Sequence, residues 1–102
     1  MKIYNKLVRD NIPNIIEQNG SKCKTRTLSD DEYVLALNKK LEEEVNEYIQ
    51  SQELEEIADV LEVLYAIMKQ KNVSFQQIEE IRKQKAKNRG GFDKKLFLES
   101  VE

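Results

Sequence analysis

The sequence contains no histidine. That removes the side chain most often used as a general base and as a zinc ligand. Its one cysteine, Cys23, excludes an internal disulfide and a cysteine-based metal cluster. Metal chemistry in such a chain falls to oxygen ligands, which favour Mg²⁺, Mn²⁺ or Ca²⁺. No apolar run reaches the roughly 18 residues of a membrane span, so no membrane partner is expected. The opening MKIYNKLVRD lacks the apolar stretch of a signal peptide, and a cytoplasmic protein is expected. A further absence is local. Between Leu41 and Met68 there is neither Lys nor Arg.

What fills that stretch is acid. Glu42, Glu43, Glu44, Glu47, Glu53, Glu55, Glu56, Asp59 and Glu62 stand there among Leu, Val and Ile. The whole chain is nearly balanced, with a net charge of -2 over 102 residues. The bases gather later: Lys69, Lys71, Arg82, Lys83, Lys85, Lys87, Arg89, Lys94 and Lys95. An acidic centre and a basic C-terminal third on one small domain can serve one ligand. The length fits a single domain over residues 1–102. With 39% hydrophobic residues the core is modest, and a short chain buries a smaller share of its surface than a long one. A homodimer or homotetramer is therefore expected.

Periodicity predicts an all-α bundle with short extended segments at both ends. Met1 to Val8 reads as extended. Asp10 to Gln18 reads as a short helix, with Pro13 in its first turn and Asn19-Gly20 as the stop. Ser21 to Leu28 reads as a short strand or an extended connector. Ser29-Asp30-Asp31-Glu32 fits a capping box opening a helix to about Ile49. Its stripe is Val34, Leu37, Leu41, Val45 and Tyr48. Ser51-Gln52 is the break, and a second long helix runs from about Glu53 to Lys71. Ser74-Phe75-Gln76-Gln77 fits another capping box, for a helix to about Asn88 that Gly90-Gly91 ends. The apolar tail from Phe92 to Leu98 is expected to pack on the bundle.

On helical wheels the acids acquire positions. With Leu41 at the centre of its stripe, Glu44 lies roughly 60° and Glu47 roughly 120° to one side. They share a face bordering the core at i, i+3 spacing. On the next helix Leu54, Ile57, Leu61, Leu64 and Met68 form the main stripe. Val60, Val63 and Ile67 form a second apolar face, and Glu56 and Asp59 fall within it. A helix apolar nearly all round is buried, so these two carboxylates should be partly shielded. A short link makes the helices antiparallel neighbours, which can bring Glu44, Glu47, Glu56 and Asp59 together. No base is expected within the helix pair to compensate them. Their mutual repulsion is on the order of several kcal/mol at low dielectric, and a divalent cation relieves it. A single E-x-x-E is ordinary on a solvated helix face. Two such pairs on consecutive helices point to metal.

The spacing Lys40-Leu41-x-Glu43-Glu44-x-x-Glu47, followed by Glu56-x-x-Asp59, resembles a known signature. It is that of the MazG-like, all-α nucleoside triphosphate pyrophosphohydrolases, a superfamily that includes phosphoribosyl-ATP pyrophosphohydrolase and the dimeric dUTPases. The start YNKLVRDNIPNII and the end KAKNRGGF resemble a small phosphoribosyl-ATP pyrophosphohydrolase-like subgroup. The resemblance implies Mg²⁺-dependent hydrolysis of a nucleotide to its monophosphate and pyrophosphate, with Mn²⁺ as a substitute metal. It implies Glu44, Glu47, Glu56 and Asp59 as metal ligands. It implies Glu43 and Glu44 as catalytic groups, Glu43 supporting the site or orienting the attacking water. Between Glu47 and Glu56 there is room for a tight turn but for no long substrate-binding loop.

Cleavage between the α- and β-phosphates leaves charge that basic groups stabilise. Candidates are Lys83, Lys87 and Arg89, with Lys6 and Arg9 after them. Lys83 and Lys87 share a face at i, i+4. Bases also suit a helix C-terminus, and a Gly pair suits an ordinary cap. A reading from another class treats the chain as a non-catalytic helical dimerisation or binding module whose acidic patch binds cations. Nucleic acid is not expected as a partner, because the dense acids oppose a polyanion.

Overall fold

The computed structural model describes residues 1–102. It contains four helices and no strand: α1 Ile12–Gln18, α2 Asp30–Ser51, α3 Leu54–Gln70 and α4 Phe75–Arg89. The Ser21 to Leu28 segment forms no strand, so it is a connector. No helix is long and apolar enough to cross a membrane.

Local chemistry sets the helix ends. Both capping boxes form. The Ser29 hydroxyl accepts from the Glu32 N–H, and the Glu32 carboxylate accepts from the Ser29 N–H. Ser74 and Gln77 make the same reciprocal pair at the start of α4. Each box satisfies two backbone donors that a helix start otherwise leaves open. Gln52 ends α2 in the left-handed region, at φ 59°. Its side-chain amide donates to the Ile49 carbonyl, and α3 begins two residues later, after Glu53.

That tight link folds α2 and α3 into a helical hairpin, the principal helix packing in the molecule. Its contact line is not where the stripe alone places it. Leu37 and Glu44 are the buried residues of α2, while Val34 and Leu41 are half-buried and Val45 is exposed. The packed face of α2 is thus turned from Leu41 toward Glu44. On α3 the buried residue is Val63, with Glu56, Asp59, Val60 and Ile67 half-buried around it. The second apolar face of α3 therefore packs on α2. Much of the main stripe stays open: Leu54, Ile57 and Leu61 are exposed.

The rest of the chain adds little to this core. The N-terminal segment lies against the hairpin through Arg9 and Lys6. Tyr65 meets Phe75 edge-to-face at 5.7 Å, holding the start of α4 near α3. Beyond it α4 projects, with no buried residue. The tail does not pack on the bundle as expected. Phe92, Leu96, Phe97 and Leu98 are all exposed, because the projecting α4 carries them away from the hairpin's apolar surface.

Candidate metal centre

The packed face of the hairpin is where the carboxylates meet. Oxygens of Glu44, Glu56 and Asp59 lie within 4.8 Å of one another, and those of Glu43, Glu44 and Glu47 form a second such group. Glu44 belongs to both. It sits on the turn of α2 that packs on α3 and is 7% exposed. Glu56 and Asp59 reach it from the first two turns of α3, and Glu47 lies on the exposed rim. The i, i+3 spacing on each helix and the antiparallel link together produce this convergence.

Three basic side chains border the cluster. Arg9 Nη2 lies 2.8 Å from Asp59 Oδ1. Lys6 Nζ and Lys40 Nζ share Glu43 Oε1, at 3.5 and 3.4 Å. Lys40 also reaches Glu44 Oε1 at 3.2 Å, by an i, i+4 step along α2. The acids are thus less isolated than the sequence leads one to expect. A base does stand within the helix pair, one residue before the base-free stretch begins. Arg9 and Lys6 arrive from far away in sequence, carried by the irregular N-terminal segment.

Compensation is incomplete. Glu44 Oε2 and Glu56 Oε2 are shielded from solvent and have no hydrogen-bond partner. A shielded carboxylate oxygen without a partner is costly, and hard, oxygen-seeking divalent cations are suited to fill that need. The electrostatics are asymmetric. Burial raises the Glu44 carboxyl above its ordinary value, aided by the Glu47 charge and against the pull of Lys40. For Lys40, burial lowers the ammonium, but its bonds to Glu44 and Glu43 outweigh that and the net shift is upward.

A cleft of about 240 Å³ opens over the cluster. Lys6, Val8, Arg9, Ile12, Lys40, Glu44, Glu47 and Asp59 line it. It joins one wall of acid to one of base, with two aliphatic side chains between. Val8 and Ile12 are members that the sequence did not single out, and Lys40 stood there only as the first residue of the acidic motif, with no role assigned. The i, i+4 relation of Lys40 to Glu44 was the available signal for that role. Of the basic candidates, Lys6 and Arg9 line this cleft. Lys83 lines a separate shallow groove with Phe75, Gln76, Glu79 and Glu80, and Lys87 and Arg89 are exposed at the far end of α4.

A 41-residue stretch is 58% identical to an uncharacterized protein of Mycolicibacterium smegmatis (strain ATCC 700084 / mc(2)155). The match covers 40% of this chain and 42% of that protein, less than half of either. No family model matches the chain. No solved structure matches it.

Proposed function

We propose that this chain is a MazG-like, Mg²⁺-dependent nucleotide pyrophosphohydrolase. It would cleave a nucleoside triphosphate, or a related nucleotide, to the monophosphate and pyrophosphate in the upkeep of a nucleotide pool. The observation that carries this reading is the pair of shielded, unpartnered oxygens, Glu44 Oε2 and Glu56 Oε2, within a cluster of carboxylates. Hydrogen bonding within the protein leaves those atoms unserved.

Glu44, Glu56 and Asp59, together with Glu47, would hold the cation. A bound Mg²⁺ supplies charge neutralisation on the phosphates and a lowered pKa for the attacking water. Glu43, held by Lys6 and Lys40 of the cleft, would orient that water and take its proton. Attack at the α-phosphorus forms one P–O bond and breaks the bond to the β-phosphate oxygen, so pyrophosphate leaves. Arg9 and Lys6 are exposed enough to turn from their carboxylates toward the phosphate chain, where fixed positive charge favours the leaving group.

One observation favours the non-catalytic alternative. The ion pairs of Arg9, Lys6 and Lys40 already compensate part of the acid, as in a structural network. Substitution separates the readings. Glu56→Gln and Asp59→Asn are expected to reduce Mg²⁺-dependent pyrophosphate release by about 100-fold or more while the protein stays helical. Equal release by wild type and both variants would remove these residues from the site.

A further inference from the structure

The N-terminal segment is held almost entirely by side chains. Residues 1–9 form neither helix nor strand, and residues 1–8 make no backbone–backbone hydrogen bond. Arg9 contributes only its carbonyl, which accepts from the Ile12 N–H at 3.0 Å. Leu7 and Val8 are half-buried. The polar hold comes from two ion pairs, and both end on the carboxylate cluster. Lys6 reaches Glu43 on α2, and Arg9 reaches Asp59 on α3. The segment thus links one helix of the hairpin to the other over the cleft that Lys6, Val8 and Arg9 line.

The three bases of the cluster differ in how they are tethered. Lys40 stands on α2 itself, one turn from Glu44, and stays with the helix. Lys6 and Arg9 stand on a segment with no backbone ladder to hold it. The four side chains of their pairs are between 30% and 56% exposed, and ion pairs so open to water are weak and screened by salt. Each acid they hold also belongs to a group of oxygens close enough to share one ion. Asp59 groups with Glu44 and Glu56, and Glu43 groups with Glu44 and Glu47. Glu44, common to both, is 7% exposed with Oε2 unpartnered. The segment and a divalent ion therefore seek the same carboxylates with charge of the same sign, and each opposes the other.

We propose that residues 1–9 form a cationic strap over the carboxylate cluster, docked in the metal-free protein and loosened when a divalent ion binds there. The inference rests on the metal-binding reading of the cluster given above and adds a built-in competitor to it. Coupling between two binding events is reciprocal, so the strap lowers the affinity for metal by the factor by which metal weakens the strap. The consequence for the site is an order of events. Without metal, Lys6 and Arg9 are spent on Glu43 and Asp59. With metal, they are released beside the cleft, where Leu7 and Val8 keep the segment from straying. Free positive charge then stands at the cleft only when the cluster is loaded.

Calorimetric titration of the full chain with Mn²⁺ alone, without nucleotide, tests this. Arg9→Gln and Lys6→Gln are each expected to tighten Mn²⁺ binding by about 2- to 5-fold, the fold-change that corresponds to an exposed ion pair. Lys2→Gln removes the same charge from the same segment, but the Lys2 ammonium lies over the Tyr4 ring at 5.1 Å rather than on an acid. Its affinity is expected to match the wild type. In the wild type, Mn²⁺ is expected to speed trypsin cleavage after Lys6 and Arg9 relative to cleavage after the exposed Lys24. A wild type that binds Mn²⁺, with Arg9→Gln binding equally or more weakly, overturns the strap and leaves the metal reading standing. A weakening of about 10-fold or more would make Arg9 a support that positions Asp59. Cleavage after Lys6 and Arg9 that Mn²⁺ leaves unchanged also overturns the strap. No Mn²⁺ binding by the wild type or by either variant overturns the strap and the metal reading together.

Discussion

Glu44 occupies the most demanding position of any residue in the molecule. It is the one charged side chain among the buried residues, with Lys40 on one oxygen and nothing on the other. Lys40 thus acts as a tethered cation at the edge of the cluster. In Lys40→Met the metal-free protein is expected to lose about 1.5–3 kcal/mol, the scale for hydrogen bonds to a charged group. The loss should shrink when Mg²⁺ is added, and thermal unfolding with and without the metal measures both. A merely structural lysine would cost the same in either condition. Lys40 was legible only in part, because attention to the base-free stretch stops one residue short of it. Lys6 and Arg9 had no periodic relation to the acids they reach. Resemblance, not spacing, nominated them, since an irregular segment carries no rule for where it docks. Glu32 behaves in the opposite way to Glu44. Its hydrogen bond from Arg26, with those from Ser29, lowers the carboxyl to about 2. A depressed carboxylate contributes stability above its unfolded value and loses it as pH falls toward the folded one. Wild-type stability is therefore expected to fall between about pH 4.5 and 2 partly through Glu32. Glu32→Gln should flatten that part of the acid-unfolding curve.

At the level of elements, the caps do most to set boundaries. The expected helix limits lie within about two residues of those observed, the usual scatter at frayed ends. Such agreement is possible because a capping box is wholly local: four consecutive residues both encode it and form it. The choice of which α3 face meets α2 is not local. Both faces are apolar, and nothing within α3 ranks them. The decision rests on what α2 offers, and the packed face of α2 runs through Leu37 and Glu44. The consequence for the site is direct, because this choice draws Glu56 and Asp59 inward against Glu44. The four helices differ in how much they depend on their caps. α2 has tertiary packing to hold it, whereas α4 has almost none in a single chain. Ser74→Ala is expected to cost about 1 kcal/mol locally. It should show as lost helical signal and faster amide exchange over Phe75 to Glu79. The equivalent Ser29→Ala change should appear in the global unfolding of the hairpin.

At the scale of the whole molecule, a projecting α4 and an exposed tail surround a two-helix core. The bases of α4 do not reach the cleft of their own chain, and the cleft draws its positive charge from the N-terminal segment and Lys40. Sequence periodicity foresaw the all-α architecture but placed the tail on the bundle. Hydrophobicity indicates that a segment seeks cover without saying on which chain the cover lies. The central proposal is that the carboxylates of the cleft hold a divalent ion on a phosphate chain. The most direct measurement is pyrophosphate release by the wild type across a panel of standard and modified nucleoside triphosphates, with Mg²⁺ and with chelator. Release from a few members that needs Mg²⁺ is the predicted result. Folded protein that releases no pyrophosphate from any member, and that Mg²⁺ does not stabilise, would contradict the claim and return the acids to a structural role.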